Sequence, residues 1–443
     1  MKYRVLLMIG LGQMWTCLFC LAMSAQADEW IDRIKTQFGG QTITCAFAPH
    51  PTTTAFQIMT KEFTALTEIR VRWDIIEENQ LRRKLLADHA ARTGLYDVLL
   101  IDAFNMAEYA PTGLAIDLEP LLNNSALTPT WYNYEDILSA YRHGIGKYRG
   151  VIYGIPVAGE TRYVGYRKDL LQKYRQQPPE TMAELLALAK FFQGKEPGLH
   201  GIVMRGQRGI HFASGWMTTM YQQGGQFLDQ QTWQVLVNRP QTVASLEYYV
   251  DLLRQGPPEI AAYTHQEPVE AFIAGKAALW FDSTAWTSTI LDRTRSHIVD
   301  KVGFAPPPAG PAGAYAALAG WNVGISSDIP ESRQKAAWAF IVWMTSQRKA
   351  EEYVRLGGAP VRKSVYTNPA LIAEDFTFPI QLKTLELAAN LVKAGITWIP
   401  PHVKTMHVLE VVGNAGADVL AGKMSAQDAL DRAQKEVERI MAK

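Results

Sequence analysis

Residues 42–102 alternate between two hydrophobic periodicities, and this alternation constrains the fold more than any other feature of the chain. The short apolar runs "TITCAFA", "IRVRWDIIE" and "YDVLLID" have the length and β-branched content of strands. Between them, "TAFQIMTKEFTALT" and "NQLRRKLLADHAART" carry apolar residues at helical spacing. A helix between two strands returns the chain to the same end of a sheet, so the strands pair in parallel. The order β-α-β-α-β therefore predicts an α/β fold, with a mostly parallel sheet and helices on its faces.

The rest of the chain is long enough for more than one such unit. Its 443 residues allow two or three domains, or one large two-lobed one. Trp338 and Trp343 lie at helical spacing in the apolar segment "AWAFIVWMTS", which predicts that both are core residues. Pro and Gly crowd 304–320, which predicts an extended connection, either a linker between domains or a surface loop.

The N-terminus has the pattern of an export signal. Lys2 and Arg4 precede an apolar run that ends in small residues. The A-x-A pattern at 25–27 places cleavage before Asp28, so 1–27 is predicted to be a signal peptide. The alternative is a retained membrane anchor, which the interruptions of the apolar run disfavour.

Several classes of chemistry have no support in the sequence. The formal net charge of +1 gives no general case for a nucleic-acid partner. Phosphate-binding loops, nucleophile elbows and H-E-x-x-H zinc motifs are absent. His402 and His407 are five residues apart, which is not the spacing of a helical metal pair. Adjacent carboxylates at Glu77 and Glu78 would face opposite ways on a strand. The sequence therefore predicts no catalytic residue, no metal and no cofactor.

A set of stretches in fixed order carries a family resemblance over nearly the whole chain beyond the signal segment. They are "EENQLRRKLLADHAARTGLYDVLLID", "YGIPVAGETRYVGYRKDLL", "GGQFLD", "AFIAGKAALWFDSTAW", "GWNVGIS", "AAWAFIVWMTS", "APVRKSVYTNP" and "LAGKMSAQDALDRAQKEVERIM". In these stretches the chain resembles the extracellular solute-binding proteins of carbohydrate ABC transporters, and among them the sorbitol- and mannitol-binding (polyol) type. Two stretches depart from the polyol type. "ETR" at 160–162 replaces E-S-S, and "RGIHFASGW" at 208–216 replaces a G-W-G-E-N-like run.

The resemblance implies a two-lobed α/β fold of the type II periplasmic binding protein kind. Each lobe would be a mostly parallel sheet flanked by helices, with the ligand cleft between the lobes. The N-terminal lobe is predicted to comprise 28–157 and 321–348, and the C-terminal lobe 158–320 and 349–443.

The resemblance also implies a function. The chain would bind a small neutral sugar or sugar alcohol in the periplasm without converting it. It would act as a monomer and deliver the ligand to ABC permease subunits in the inner membrane. Two alternatives stay open: a secreted carbohydrate-active enzyme that uses Glu160 and Asp282, and a ligand sensor that docks on a receptor.

The strongest site candidates lie in "AALWFDSTAW". Ligands of open α/β sheets bind beyond the carboxyl ends of strands, and Asp282 follows the apolar run 277–281. Its carboxylate is predicted to accept ligand hydroxyls, and the indole of Trp286 to cover the apolar face of a sugar. The alternative is that Asp282 only caps the next helix and Trp286 belongs to the core.

Three further candidates come from segments that the resemblance places at the cleft. Trp321 begins a strand after the Pro/Gly-rich run and is predicted to form a cleft wall, or else an ordinary core position. Glu160 ends "YGIPVAGE" and would accept a hydroxyl or form a hinge ion pair. Arg362 in "PVRKS" would donate to vicinal oxygens or form a surface pair.

The remaining candidates lie near the first strands. Glu78 and Arg82 match the family stretch and would reach the cleft, or would form only the ion pair that i, i+4 spacing predicts. His50 lies in the loop after the first strand. Asp102 and Phe104 end the third strand and are candidates by position alone.

Overall fold

The computed structural model describes residues 26–443, and the chain is helical from 26 to 38 (α1). The predicted signal peptide, 1–27, therefore lies almost wholly outside the described residues. The strands are β1 (Thr42–Phe47), β2 (Arg70–Ile75), β3 (Val98–Asp102), β4 (Lys147–Tyr148), β5 (Val151–Ile152), β6 (Ile155–Glu160), β7 (Arg162–Arg167), β8 (His200–Val203), β9 (Ala277–Ser283), β10 (Val302–Ala305) and β11 (Ala319–Ile325).

The α-helices connect and cover these strands. After α1 they are α2 (Pro51–Thr67), α3 (Glu78–Ala91), α4 (Met106–Tyr109), α5 (Glu119–Leu122), α6 (Ser139–Gly144), α7 (Lys168–Lys173), α8 (Met182–Phe192), α9 (Ile210–Gln222), α10 (Pro240–Leu253), α11 (Gln266–Ile273), α12 (Thr287–Ile290), α13 (Glu331–Thr345), α14 (Ala350–Arg355), α15 (Lys363–Tyr366), α16 (Pro369–Glu374), α17 (Phe378–Lys393), α18 (Thr405–Leu420) and α19 (Ala426–Ala442). Within 26–443, no helix is long and apolar enough to cross a membrane.

The first lobe is built on a five-stranded sheet in the order β2-β1-β3-β11-β6. β1 pairs in parallel with β2 and β3, whereas β11 is antiparallel to both of its neighbours, β3 and β6. Four strands therefore run in one direction and β11 is reversed. All five residues of β3 are buried, as expected for a strand in the middle of a sheet covered on both faces.

The second lobe is built on a four-stranded sheet in the order β10-β7-β9-β8. β8 and β9 are parallel, and β7 is antiparallel to both of its neighbours, β9 and β10. One strand is again reversed. Each sheet has its own apolar core, so the predicted two-lobed α/β fold is confirmed. The sheets are mixed rather than mostly parallel, because only three of their seven strand pairings are parallel.

The chain passes between the lobes at a point where almost no residues separate two strands. β6 belongs to the first sheet and β7 to the second, and Thr161 alone lies between them. The chain returns between β10 and β11, so the Pro/Gly-rich segment 304–320 connects the two lobes. Thr161 is therefore the crossing point of the chain between the two sheets.

One segment after the predicted lobe boundary at 348–349 packs on the first lobe rather than on the second. Buried side chains from Ala350 to Leu385 belong to the first core, and the chain reaches the second core at Leu391. Tyr353 shows the cause, since its hydroxyl donates to the carbonyl oxygen of Val157 in β6 at 2.6 Å. The assignment of the other segments to lobes stays a prediction.

The tryptophans of the apolar helices are core residues. Trp338 and Trp343 are buried in the first core, as their spacing predicts. Trp216, whose role the sequence leaves undecided, is buried in the second core and donates to Ser245 Oγ at 2.9 Å.

Trp338→Ala should lower the free energy of unfolding by about 3–5 kcal/mol, because it leaves a cavity in a packed core. Trp338 is 0% exposed, and its indole N–H donates to Thr128 Oγ1 at 2.8 Å. Leu95→Ala, at a side chain that is 56% exposed, serves as the control and should change stability by about 0.5 kcal/mol or less. Chemical denaturation measures both. Equal losses in the two variants would contradict the assignment of Trp338 to the core.

Candidate functional site

A cavity lies between the two lobes and is lined by residues of both. It encloses about 40 Å³, which is room for a few water molecules. Eight of the ten side chains predicted from the sequence line it: His50, Glu78, Arg82, Asp102, Phe104, Glu160, Trp286 and Trp321. The structure brings these residues together, and their contact with a ligand stays a prediction.

The strand directions explain why these residues meet. β1, β3 and β6 run in the same direction, so the residues after their last positions lie at one edge of the first sheet. β11 runs the other way and brings its start to that edge, where Trp321 pairs in register with Asp102. In the second sheet, β8 and β9 end at the cavity, and reversed β7 begins there with Arg162.

Arg82 organises the charged wall of the first lobe. Its Nη2 donates to both Glu78 and Asp102, and its Nε donates to Asn105 Oδ1 at 3.0 Å. Burial opposes the ionisation of Glu78, but the positive charge of Arg82 holds its pKa well below the usual range. Burial raises the pKa of Asp102 to about 6, with a contribution from the negative charge of Glu78 and against the opposing effect of Arg82.

Glu160 presents one oxygen that no hydrogen bond within the described residues satisfies. Ser283 Oγ donates to Glu160 Oε2 at 2.6 Å, whereas the buried Oε1 has no aligned donor. His50 Nδ1 accepts from the Thr52 backbone N–H at 3.1 Å. The neutral ring therefore carries its proton on Nε2, which lies 3.3 Å from Glu160 Oε1. Burial opposes the ionisation of Glu160, but His50 and Ser283 lower its pKa.

Two indoles contribute to the apolar part of the cavity wall, together with Phe104, Ile210, Ala317 and Ala319. Trp286 and Trp321 are 8% and 7% exposed, and they lie on either side of His50 with ring-centroid distances of 6.3 and 6.2 Å. Trp286 also packs on His265 at 5.4 Å. These aromatic groups supply flat surfaces of the kind that cover the C–H face of a hydroxylated ligand.

The structure corrects the predicted placement of Asp282. This carboxylate is 1% exposed and does not line the cavity. Arg205 binds it through Nε, at 2.9 and 2.8 Å to the two carboxylate oxygens, and through Nη2, at 2.6 Å to Oδ1. The Ser283 N–H also donates to Oδ1, at 2.7 Å. Ser283, rather than Asp282, caps the following helical turn. Arg205 therefore faces the cavity where Asp282 was expected.

The structure also corrects the predicted placement of Arg362. It lies in the first lobe away from the cavity, and it is neither a ligand donor nor a surface residue. Its guanidinium donates to the carbonyl oxygens of Thr345, Tyr132 and Asn133 at 2.6–3.0 Å. Arg362 therefore ties together loops whose carbonyl groups would otherwise be buried without donors.

Sequence reasoning missed several lining residues of the second lobe: Arg162, Arg205, His211, Ser214 and His265. A usable signal existed for Arg205, because it lies just after the end of β8, and Asp102 lies likewise at the end of β3. A signal also existed for Arg162, His211 and Ser214. They lie in 160–162 and 208–216, the two stretches that depart from the polyol type.

Two histidines of the second lobe are held neutral. Burial lowers the pKa of His211 to about 4, and the positive charges of Arg205 and Arg82 act in the same direction against the attraction of Glu78. Burial and Arg205 likewise lower the pKa of His265, while Glu78 opposes the shift. His265 Nδ1 lies 3.4 Å from Glu78 Oε2, so this contact joins the lobes across the cavity.

The arrangement offers many hydrogen-bond donors and acceptors in a small space. Charged groups of both signs lie close together and largely compensate one another. Among the residues from 26 to 443, no group of three or more His, Cys, Asp or Glu side chains has the arrangement of a metal site. The cavity is therefore suited to a polar ligand held by directional hydrogen bonds and aromatic surface.

The chain matches the family model of the bacterial extracellular solute-binding proteins over residues 49–351. It belongs to this family, which confirms the resemblance seen in the sequence.

Individual relatives cover most of the chain. A mannitol-binding protein of Pseudomonas aeruginosa is 29% identical over 91% of this chain and 94% of its own. An erythritol/L-threitol-binding protein of Mycolicibacterium smegmatis is 28% identical over 74% of this chain and 72% of its own. The crystal structure of an ABC transporter solute-binding protein of Agrobacterium radiobacter K84 in complex with ribitol aligns with a TM-score of 0.85. It is 28% identical and covers 91% of this chain and 99% of that one.

His211→Gln should flatten the pH dependence of stability between pH 7 and pH 5. The folded-state pKa of His211, about 4, is below its ordinary value, so the unfolded chain binds the proton first. The stability contributed by neutral His211 is present above about pH 6.5 and is lost as the pH falls toward 4. From pH 7 to 5 the wild type should lose about 2 kcal/mol more than the variant.

Denaturant titrations at the two pH values measure this difference. His143→Gln, at an exposed histidine, is the matched control and should keep the wild-type slope. A wild-type slope in His211→Gln would show that the neutral state of His211 does not contribute to folding.

Proposed function

We propose that this protein binds a small polyhydroxylated ligand, a sugar alcohol or a sugar, between its two lobes and delivers it to the permease subunits of an ABC transporter. The single observation that carries the proposal is the cavity at the lobe interface, where hydrogen-bonding groups of both kinds alternate with two indoles. The names of the mannitol- and erythritol/L-threitol-binding relatives and the ribitol complex support a polyol as the ligand class.

The hydroxyl groups of such a ligand have defined partners. Glu160 Oε1 is a buried carboxylate oxygen without an aligned donor, and Thr161 Oγ1 is a buried hydroxyl without a partner among the described residues. Both residues line the cavity at the crossing between the lobes. A ligand hydroxyl that donates to Glu160 would satisfy an acceptor whose burial otherwise costs about 1–3 kcal/mol.

The indoles would bind the carbon skeleton of the ligand. A polyol chain presents C–H groups as well as hydroxyl groups. Trp286 and Trp321 offer aromatic surface for the C–H groups from opposite lobes. Their burial by ligand adds hydrophobic free energy that the hydrogen bonds alone do not supply. Ligand specificity would then depend on where the hydroxyl groups meet the charged side chains.

Binding requires the lobes to move. The cavity is narrow and both lobes line it, so a sugar alcohol would enter as the walls separate. The short crossing at Thr161 supplies a hinge, and the Glu78–His265 contact across the cavity opens when the lobes part. Ligand that bridges both walls favours the closed arrangement, which presents a different surface to a membrane partner.

One of the two residues that the enzyme alternative requires does not line the cavity. That alternative needs Glu160 and Asp282 as a carboxyl pair that flanks a scissile bond. Both oxygens of Asp282 accept from Arg205, and Asp282 does not reach the cavity. We therefore propose that the ligand leaves chemically unchanged.

The location and partners complete the proposal. The signal-like segment 1–27 would direct export, and the mature chain would act in the periplasm as a monomer. Permease subunits in the inner membrane are the proposed docking partner, and a receptor is the alternative partner. No role with nucleic acid is proposed, because the formal net charge is only +1.

Trp286→Ala should weaken the binding of ribitol or mannitol at least tenfold, because the ligand loses an aromatic wall. Calorimetric titration measures the affinity, and chromatography of the recovered ligand tests for conversion. Trp338→Ala is the matched control, since it removes the same side chain from the core and should keep the affinity of the folded protein. Wild-type affinity in Trp286→Ala, or recovery of a converted product, would contradict the proposal.

A further inference from the structure

Arg162 is a buried cation at the centre of the proposed binding site. It is the first residue of β7, directly after the hinge residue Thr161, and it lines the cavity although it is only 5% exposed. Its Nη1 donates to the carbonyl oxygen of Ser214, and its Nη2 donates to Ser214 Oγ at 2.7 Å. The guanidinium also lies over the ring of Trp398, 5.2 Å from the centroid. These neutral contacts hold its position but do not compensate its charge.

No carboxylate of residues 26–443 lies within ion-pair distance of Arg162. The other two guanidinium groups of the cavity differ in this respect. Arg82 binds Glu78 and Asp102, and Arg205 binds Asp282 through two donors. A buried charge without a counter-charge is costly, so buried charges in proteins are normally paired.

The electrostatics of the second lobe agree with an uncompensated positive charge. Burial and the neighbouring charge of Arg205 lower the pKa of Arg162 to about 10, with Asp282 opposing the shift. Asp282 is already bound by Arg205, which leaves Arg162 as the guanidinium of this wall without an ion pair, although the negative charge of Glu160 also acts on it from the crossing strand. The same region holds the pKa of His211 down. Arg162 is therefore the position on this wall where an anionic group would gain an ion pair.

We propose that the ligand is a polyol chain that ends in a carboxylate, and that Arg162 binds this carboxylate. The inference rests on the proposed function. It changes the preferred ligand from a neutral polyol to a hydroxylated monocarboxylic acid. The carboxylate would lie against the second lobe, and the hydroxyl groups would extend toward Glu160 and the indoles. A planar guanidinium can donate two parallel hydrogen bonds to a carboxylate, so the contact also orients the chain.

The charge of the opposite wall selects a carboxylate over a phosphate. Glu78, Asp102 and Glu160 face the cavity from the first lobe and its crossing strand, and Arg82 is the guanidinium among them. A dianionic phosphate would bring a second negative charge close to these carboxylates with no cation left to pair with it. One uncompensated positive charge matches one carboxylate.

Matched ligand pairs test the proposal by calorimetric titration of the full mature chain. The pairs are ribonate with ribitol and mannonate with mannitol, and ribitol 5-phosphate is the third arm. The wild type should bind each aldonate at least tenfold more tightly than its alditol, and more tightly than the phosphate. Raising the ionic strength should weaken aldonate binding more than alditol binding.

Arg162→Gln keeps amide donors near Ser214 but removes the charge. The ratio of aldonate to alditol affinity should fall at least tenfold in this variant, and Arg162→Lys should keep part of the preference. Arg348→Gln removes an equal charge at an exposed position and should leave the ratio unchanged. The melting temperature of Arg162→Gln should not fall, because the variant removes an unpaired buried charge rather than one partner of a pair.

The outcomes separate the two proposals. Alditols that bind as tightly as aldonates, a preference for the phosphate, or a ratio that Arg162→Gln leaves unchanged would each overturn the carboxylate inference alone. Failure of alditols, sugars and aldonates to bind would overturn the proposed function as well.

Discussion

Buried charges at the ends of strands are the constraint on which the rest of this structure depends. Two sheets bring strand ends to one cavity, where β3, β6, β7 and β9 contribute the polar or charged side chains of Asp102, Glu160, Arg162 and Ser283. A charge removed from water must find a partner, so carboxylates and guanidinium groups pair across short distances. Arg82 with Glu78 and Asp102, and Arg205 with Asp282, satisfy this requirement within each lobe. The polar groups that remain without a partner define the hydrogen bonds and ion pairs that the cavity offers to a ligand.

The unsatisfied groups lie where the lobes meet. Glu160 offers a carboxylate oxygen without an aligned hydrogen-bond donor at the end of β6, and Arg162 offers a guanidinium without an ion pair at the start of β7. The two residues flank the single residue that separates the sheets, so a ligand that contacts both also contacts the hinge. A micromolar dissociation constant corresponds to only about −8 kcal/mol, and a few directional hydrogen bonds with aromatic contact account for that free energy. Closure therefore needs little additional driving force beyond the contacts that the ligand itself makes.

The fold was predictable from the sequence because local periodicity and chain order determine it. The predicted strands and helices of 42–102 correspond to β1 through β3 with differences of a few residues at their ends. The rule that ligands bind beyond strand ends made Asp102 a candidate; Asp102 lines the cavity, and its contact with a ligand stays a prediction. The rule failed for Asp282, because the sequence does not show that Arg205 would approach from β8 and occupy both carboxylate oxygens. The placement of Arg362 at the cleft was wrong for a similar reason, since the loop carbonyls that it binds come together only through tertiary packing.

The most direct test of this account is a crystal structure of the protein with the tightest-binding alditol or aldonate. The account predicts ligand density between the lobes, with a hydroxyl group bonded to Glu160, the carbon chain against Trp286, and a carboxylate, where present, on Arg162. Ligand bound outside this cavity, for example in the surface groove near Pro306 and Phe191, would contradict the assignment of the site.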